Sequence, residues 1–429
     1  MAASSKAASR VPFGRHVFVR LALIAGAALA HPSGAHADVP HDLVVSRSLA
    51  LKLGAEQGPP VREARAPIAA TGSIRDTSNR PLSYAPRVTF FAGRRAGSFG
   101  EGLEIGGSAT QELSVHGLRG ARRDVASAIE HAATSELERA RLEGAAGALL
   151  AWLDVLEAQE LLRLRTAARV EAEEIARVAT ARVERGVALP AEASLAAAEV
   201  GAAVLGERDA EGMLVISSAT LKLAIGVSQT TRVVASGDLG TDTVIGAPRS
   251  TSREHPVLRA AGAEVALARA DAKLAGAHLA PPMSVGVNLS REGQGEKLIT
   301  GTITVPIPLL DATGFDRARQ EASVLGAEAR AVRRRDELAH DLALALHERE
   351  HTREVRDTLS TRVLVPLREA VRLARAAYQA GTQDATGLLL LRQRLVAAEE
   401  RLASADADVK RADLREAVAR GSLLDEVAR

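Results

Sequence analysis

From Asp316 to about Leu424 the sequence permits little besides one long helical hairpin. Residues 316–380 hold a single proline, Pro366, and a single glycine, Gly326. At about 1.5 Å per residue, such a helix spans roughly 100 Å, far more than the diameter of a compact domain. A bend at Gly381 follows, and then a returning arm with Leu388, Leu391, Leu395, Ala398 and Leu402 in alternating steps of three and four. That spacing is a heptad seam, which needs a partner helix along its length. Charged residues such as Arg392, Arg394, Glu399, Glu400 and Arg401 fill the other faces. A hairpin of this length has no globular core of its own, so it belongs to a tube or a bundle.

Two further segments read differently. Basic residues up to Arg20 precede an apolar run, Leu21 to Ala30, and a small-residue site, Ala35-His36-Ala37. These are the three parts of a secretory signal peptide over residues 1–37, and the apolar run is too short to cross a bilayer as a helix. Four of the 55 basic residues lie in that leader, which leaves 51 against 53 acidic residues, a balance near −2 that gives no support for nucleic-acid binding. With no cysteine, the chain offers no disulfide framework, no thiolate metal site and no cysteine-borne lipid anchor. Aromatics are only 2%, while Ala, Leu, Val, Arg and Glu dominate, as in long helices.

Helical signals recur in two halves offset by about 195 residues: Gly186 with Gly381, Leu195 with Leu390, Pro86 with Pro281, and Pro60-Val61 with Pro256-Val257 within one residue. Several anchors at one spacing indicate an internal duplication. In the second half a helix over 254–278 precedes two alternating runs within 283–308, joined at Glu292-Gly293-Gln294-Gly295-Glu296. Met283, Val285, Val287 and Leu289 alternate with small polar residues, as do Ile299, Gly301, Ile303 and Val305; period two with one apolar face predicts strands. The first half has a weaker pair over 86–113, with Val88, Phe90, Ala92, Leu103, Ile105, Gly107 and Ala109 on the less polar face. Long helices are expected at 122–185 and 190–225, and again at 316–380 and 385–421. The repeats therefore cover 83–227 and 254–424, with a linker at 228–253. Prolines 59, 60, 67 and 81 predict short helices and loop over 38–82.

Strands with one apolar and one Ser/Thr/Gly face suit a barrel with lipid outside and water inside. Four strands are too few to close a pore, and open edges cannot face lipid, so several chains must pool their strands. The competing arrangement is an intramolecular β-sandwich beside a helical bundle, which buries little core and leaves the heptad seams without partners.

This plan resembles the TolC-type outer-membrane efflux channel family over about residues 43–424. The resemblance is carried by the duplicated plan, by His255-Pro256-Val257-Leu258 and Val305-Pro306-Ile307-Pro308-Leu309-Leu310-Asp311, and by Arg375-Ala376-Ala377-Tyr378-Gln379-Ala380-Gly381 with the leucines after it. Thr110-Gln111-Glu112-Leu113, with Gly117, Gly120 and Arg122, is similar to the branch serving heavy-metal and cation efflux. The resemblance implies a mainly α fold with a small β part: a homotrimer whose twelve-stranded barrel in outer-membrane lipid continues as an α-helical periplasmic tunnel. It also implies a passive role without cofactor, in tripartite efflux or type I secretion, beside a periplasmic adaptor and an inner-membrane pump. Helix tips would close the tunnel until the adaptor docks. On that footing Arg185, Gly186 and Val187, with Gly381, Thr382 and Gln383, are tip positions meeting the adaptor. Asp384 is the nearest acid for the aperture, since Gly387 stands where relatives often place an acid. Both glycines also fit a plain left-handed helix terminus. Aromatic girdles are scarce, with only Tyr84, Phe90, Phe91 and Phe99 near the strands.

One motif points elsewhere. His347-Glu348-Arg349-Glu350-His351 matches the zinc-protease helix, in which two histidines share a face and the glutamate activates water. Its surroundings are charged, the extended form with a third histidine is missing, and His340 one heptad earlier makes a polar stripe the simpler account. His347 and His351 are thus weak metal candidates. No phosphate-binding glycine loop, dinucleotide fingerprint or nucleophile elbow is present, so the reading is not an enzyme. A soluble periplasmic scaffold or adaptor-like protein is the alternative.

Overall fold

A computed structural model describes residues 43–427, except 81–83, 98–99, 114–116, 241–253, 280–281, 293–294 and 306–313. The leader reading over 1–37, the Pro281 anchor, the 241–253 half of the 228–253 linker and the Pro306–Asp311 part of the resemblance lie outside the described residues.

The chain is mainly helical. β1 (Leu43–Val45) leads into α1 (Arg47–Gln57) and α2 (Pro59–Ser78). The strand pair β2 (Arg87–Gly97) and β3 (Gly100–Leu113) precedes α3 (Leu118–Glu184), α4 (Pro190–Ala224) and β4 (Val233–Ala235). The second half runs α5 (Pro256–Leu279), β5 (Met283–Arg291), β6 (Lys297–Thr304) and α6 (Gly314–Thr358), then a π-helical turn (Leu359–Leu364), α7 (Val365–Gln379), α8 (Ala385–Arg420) and α9 (Leu424–Val427). Helix α3 alone has 67 residues.

Two segments correct the sequence reading. Over the described residues 43–80 the chain does not break into short helices and loop around its prolines, because α2 continues through Pro67 for 20 residues. Pro59 and Pro60 occupy the first turn, where a missing N–H costs nothing. A mid-helix proline costs about 3 kcal/mol. Burial of Val61 and Ala64, on an element packed along α3, offsets this cost. The helix expected over 316–380 is likewise not uniform. Pro366 cannot donate to the carbonyl four residues back and its ring crowds that turn, and the ladder widens into the π turn just before it.

The strands form one sheet in the order β2-β3-β5-β6, antiparallel throughout, rather than a sandwich. The register pairs Val88 with Ala109, Phe90 with Gly107, Ala109 with Val287, Gly107 with Leu289, Val285 with Ile303 and Leu289 with Ile299. All of these fall on one face. The opposite face carries Thr89, Ser108, Thr110, Ser284, Asn288, Ser290, Thr300 and Thr302. The apolar face is exposed, with Phe90 83% exposed and Ile299 and Ile303 each 73% exposed, while the polar residues of β5 are half-buried and those of β6 are exposed as well. Among the described residues, β2 and β6 have no strand on their outer edges.

The main core lies midway along the helices. Parallel strands β1 and β4 lie beside α3, with Val45, Val233 and Ala235 clustered with Leu149, Trp152 and Val155. The Trp152 indole donates to the Val45 carbonyl at 3.0 Å.

The duplication is visible in backbone geometry. Gly186 and Gly381 have φ of 74° and 77°, and Gly226 and Gly421, also 195 positions apart, have 71° and 70°. All four close a helix with the same paired bonds, such as Val187 N–H to Arg182 O and Thr382 N–H to Ala377 O. Gly421 also lies against the His255 ring. That ring donates from Nε2 to Val418 O at 2.9 Å while its Nδ1 accepts from the Val257 N–H at 3.2 Å. The His255-Pro256-Val257 signature thus caps one helix and holds the end of another.

Candidate functional site

The two hairpins meet near their tips. α3 ends at an exposed loop of Arg185, Gly186 and Val187, with Pro190 in the first turn of α4. α7 ends at Gly381 and Thr382, also exposed, followed by the half-buried Gln383. Asp384 is the N-cap of α8, its carboxylate accepting from the Gly387 N–H at 3.4 Å. The tip residues named from the sequence therefore fall at two turns of the same construction.

Beneath these turns sits a polar cluster that sequence reasoning missed. Arg182 of α3 donates to the Tyr378 carbonyl at 2.9 Å, and its guanidinium lies over the Tyr378 ring at 4.8 Å. Glu192 of α4 approaches the same guanidinium at 3.7 Å. Tyr378 is buried among Ile175, Ala179, Ala196, Ala374 and Leu388. Burial pushes its phenol up to about 12, and the Glu192 carboxylate pushes the same way while Arg182 opposes it. The cluster joins both arms of the first hairpin to the second. Its one sequence signal is that Tyr378 is one of two tyrosines in the chain, three residues before a turn glycine.

Farther from the tips, ion pairs continue the contact. Glu171 of α3 holds Arg375 of α7 at 2.7 Å and also pairs with Arg392 of α8. Gln393 donates to Glu199 at 2.6 Å, and Arg165 donates to Glu400 at 2.9 Å. Burial pushes the Glu400 carboxyl up against the pull of Arg165, and pushes the Arg392 guanidinium down. These are partly desolvated charges, held by partners on the other hairpin.

The histidine motif makes no catalytic centre. His347 and His351 are exposed, their rings nearly parallel with centroids 6.3 Å apart. Glu348, which a protease would need as its base, is held by Arg415 of α8 at 2.7 Å. Among the described residues no group of three or more His, Cys, Asp or Glu converges on a metal position. Displaced by the repeat spacing, His340, Leu344, His347 and His351 coincide with Ala145, Leu149, Trp152 and Leu156, which form the core face of α3. Among the described residues no strand pair covers this stripe as β1 and β4 cover its counterpart on α3.

Residues 247–419 match the family model described as outer membrane efflux protein. The match is confined to the second half of the chain. Likeness of fold extends beyond the matched residues. CmeC, an outer membrane channel of Campylobacter jejuni, superposes with a TM-score of 0.68 at 15% identity, over 88% of this chain and 85% of that one. The MtrE outer membrane channel of Neisseria gonorrhoeae, in its open state, gives 0.66 at 20% identity over 88% and 89%. VceC, an outer membrane protein of Vibrio cholerae, gives 0.68 at 15% identity over 87% and 96%. No curated protein matches by sequence. In the fold shared with these structures, the Arg182–Glu192–Tyr378 cluster lies where the two helical hairpins converge, at the end of the helices farthest from the sheet.

Proposed function

We propose that the chain is the outer-membrane channel of a tripartite efflux or type I secretion system, a passive conduit and not a catalyst. The observation that carries this is the four-stranded sheet with an exposed apolar face, a Ser/Thr/Asn face behind it and, among the described residues, two unpaired edges. No helix among the described residues is long and apolar enough to cross a membrane, so membrane residence falls to the strands. Three chains would close a twelve-stranded barrel by pairing β6 of one with β2 of the next, and their hairpins would line a periplasmic tunnel. Residues 1–37 would direct export and be removed. The tip turns at Arg185-Gly186-Val187 and Gly381-Thr382-Gln383 would meet a periplasmic adaptor, which receives cargo from an inner-membrane pump. Asp384 contributes negative charge at the aperture while capping α8.

The Arg182–Glu192–Tyr378 cluster would hold the second hairpin against the first and keep the aperture narrow. The likeness of Thr110-Gln111-Glu112-Leu113 to the heavy-metal branch makes metal cations the first cargo to test. Planar-bilayer conductance tests the reading: the wild-type trimer should conduct weakly, and Glu192→Gln with Tyr378→Phe should conduct severalfold more. A purified protein that stays monomeric in detergent and never conducts would remove the basis for a channel. Recovery in the osmotic-shock supernatant would favour the soluble scaffold instead.

A further inference from the structure

The sheet register sorts charge as well as polarity. On the apolar face the rows from Leu113 and Met283 upward carry no charge until the turn end is reached. There Arg94 lies opposite Leu103, Arg291 opposite Ile105, and Lys297 opposite Arg291. All three cations are exposed. The strand acids Glu104 and Glu112 fall on the polar face, and Glu101, the one strand acid on the apolar face, pairs with Arg94 at 2.7 Å. Glu292 and Glu296 belong to the turn itself, closed by the Glu292 N–H donating to Glu296 O at 2.9 Å. The helix-proximal end of the same face, at Leu113, Met283 and Val305, bears no cation. The apolar band is therefore bounded by positive charge at one end only.

We infer that this rim docks lipid headgroups whose phosphate leaves them with a net negative charge, where the apolar band meets the outer boundary of the bilayer. The inference rests on the barrel reading above. Long basic side chains can lay their stems along apolar surface and extend their charge into the headgroup layer, and arginine's fork fits phosphate oxygens in pairs. Phe90 is the one aromatic residue on the apolar face of the described strands, so little of the usual aromatic belt competes for that layer. The cations lie on β2, β5 and β6, so pairing β6 of one chain with β2 of the next would carry the rim around a closed barrel. A basic residue at a charged membrane surface gains about five-fold in affinity for an anionic lipid.

The test uses the mature trimer reconstituted in vesicles of phosphatidylcholine, with and without phosphatidylglycerol. Spin-labelled lipid then reports which headgroup is held at the protein boundary. The wild type should hold labelled phosphatidylglycerol severalfold over labelled phosphatidylcholine, and added salt should flatten the preference. The R94Q/R291Q/K297Q variant should bring the ratio near unity, and Lys297→Glu should lower it relative to wild type. Equal ratios for wild type and triple variant, with both trimers inserted, would overturn the rim and leave the channel standing. Failure of the wild-type trimer to enter either kind of vesicle would overturn the barrel, and the rim with it.

Discussion

Tyr378 is a buried phenol beside a carboxylate, and that placement has a measurable consequence. The ordinary tyrosine value is 10.0, and burial together with Glu192 raises it here to about 12. The folded chain therefore keeps its proton where the unfolded chain has lost it. Stability is unaffected below about pH 10 and falls as pH rises from there towards 12. Tyr378→Phe should lack that step, so calorimetric melting scanned upward from pH 9 should show a wild-type loss that the variant does not share. If both melt alike, burial does not hold the phenol protonated in the folded chain. At this scale the sequence was partly legible. Gly186 and Gly381 announced their turns because a left-handed residue at a helix end favours glycine. Arg182 and Tyr378 gave no such notice, because a contact across 196 positions leaves no local pattern.

Among the elements, the sheet makes the sharper distinction between two glycines. Gly286 lies on the polar face, where a Cβ would sit 2.6 Å from the Thr110 methyl, 2.9 Å from the Thr302 hydroxyl and 3.1 Å from the Ala109 carbonyl. Gly301 lies on the apolar face with no atom within 4 Å of an added Cβ. Gly286→Val should crowd β3 and β6 together and destabilise the sheet by about 1–3 kcal/mol, whereas Gly301→Val adds apolar surface to an exposed face at little cost. Heat-modifiability on gels reads this directly: the band of the folded assembly should melt earlier for Gly286→Val alone. Strand faces were readable in advance because period two fixes them. α2 and the π turn were not, because whether a helix tolerates Pro67 or widens before Pro366 depends on packing that local propensity does not encode.

For the molecule as a whole, α4 poses the question that a single chain leaves unanswered. Its buried residues Ala196, Ala210 and Leu221 face α3, and at 100° per residue they fall on one side of the helix. Leu205, Ile216 and Leu223 fall on the other side and are 67%, 69% and 61% exposed. A helix apolar on two sides is ordinarily covered on both. Covering such side chains contributes about 1.5–3 kcal/mol each, so a stripe of this length is a strong drive towards a second hairpin. The unpaired strand edges make the same demand at the sheet, and it is the same copies of the chain that can meet both. Leu205→Asp with Ile216→Asp should therefore shift sedimentation in detergent from the proposed trimer to monomer, although α4 packs on helices and not on the four-stranded sheet. A variant that remained trimeric would mean that the strands alone assemble the channel, with the hairpins hanging unpaired below it, and the tunnel would lose its wall.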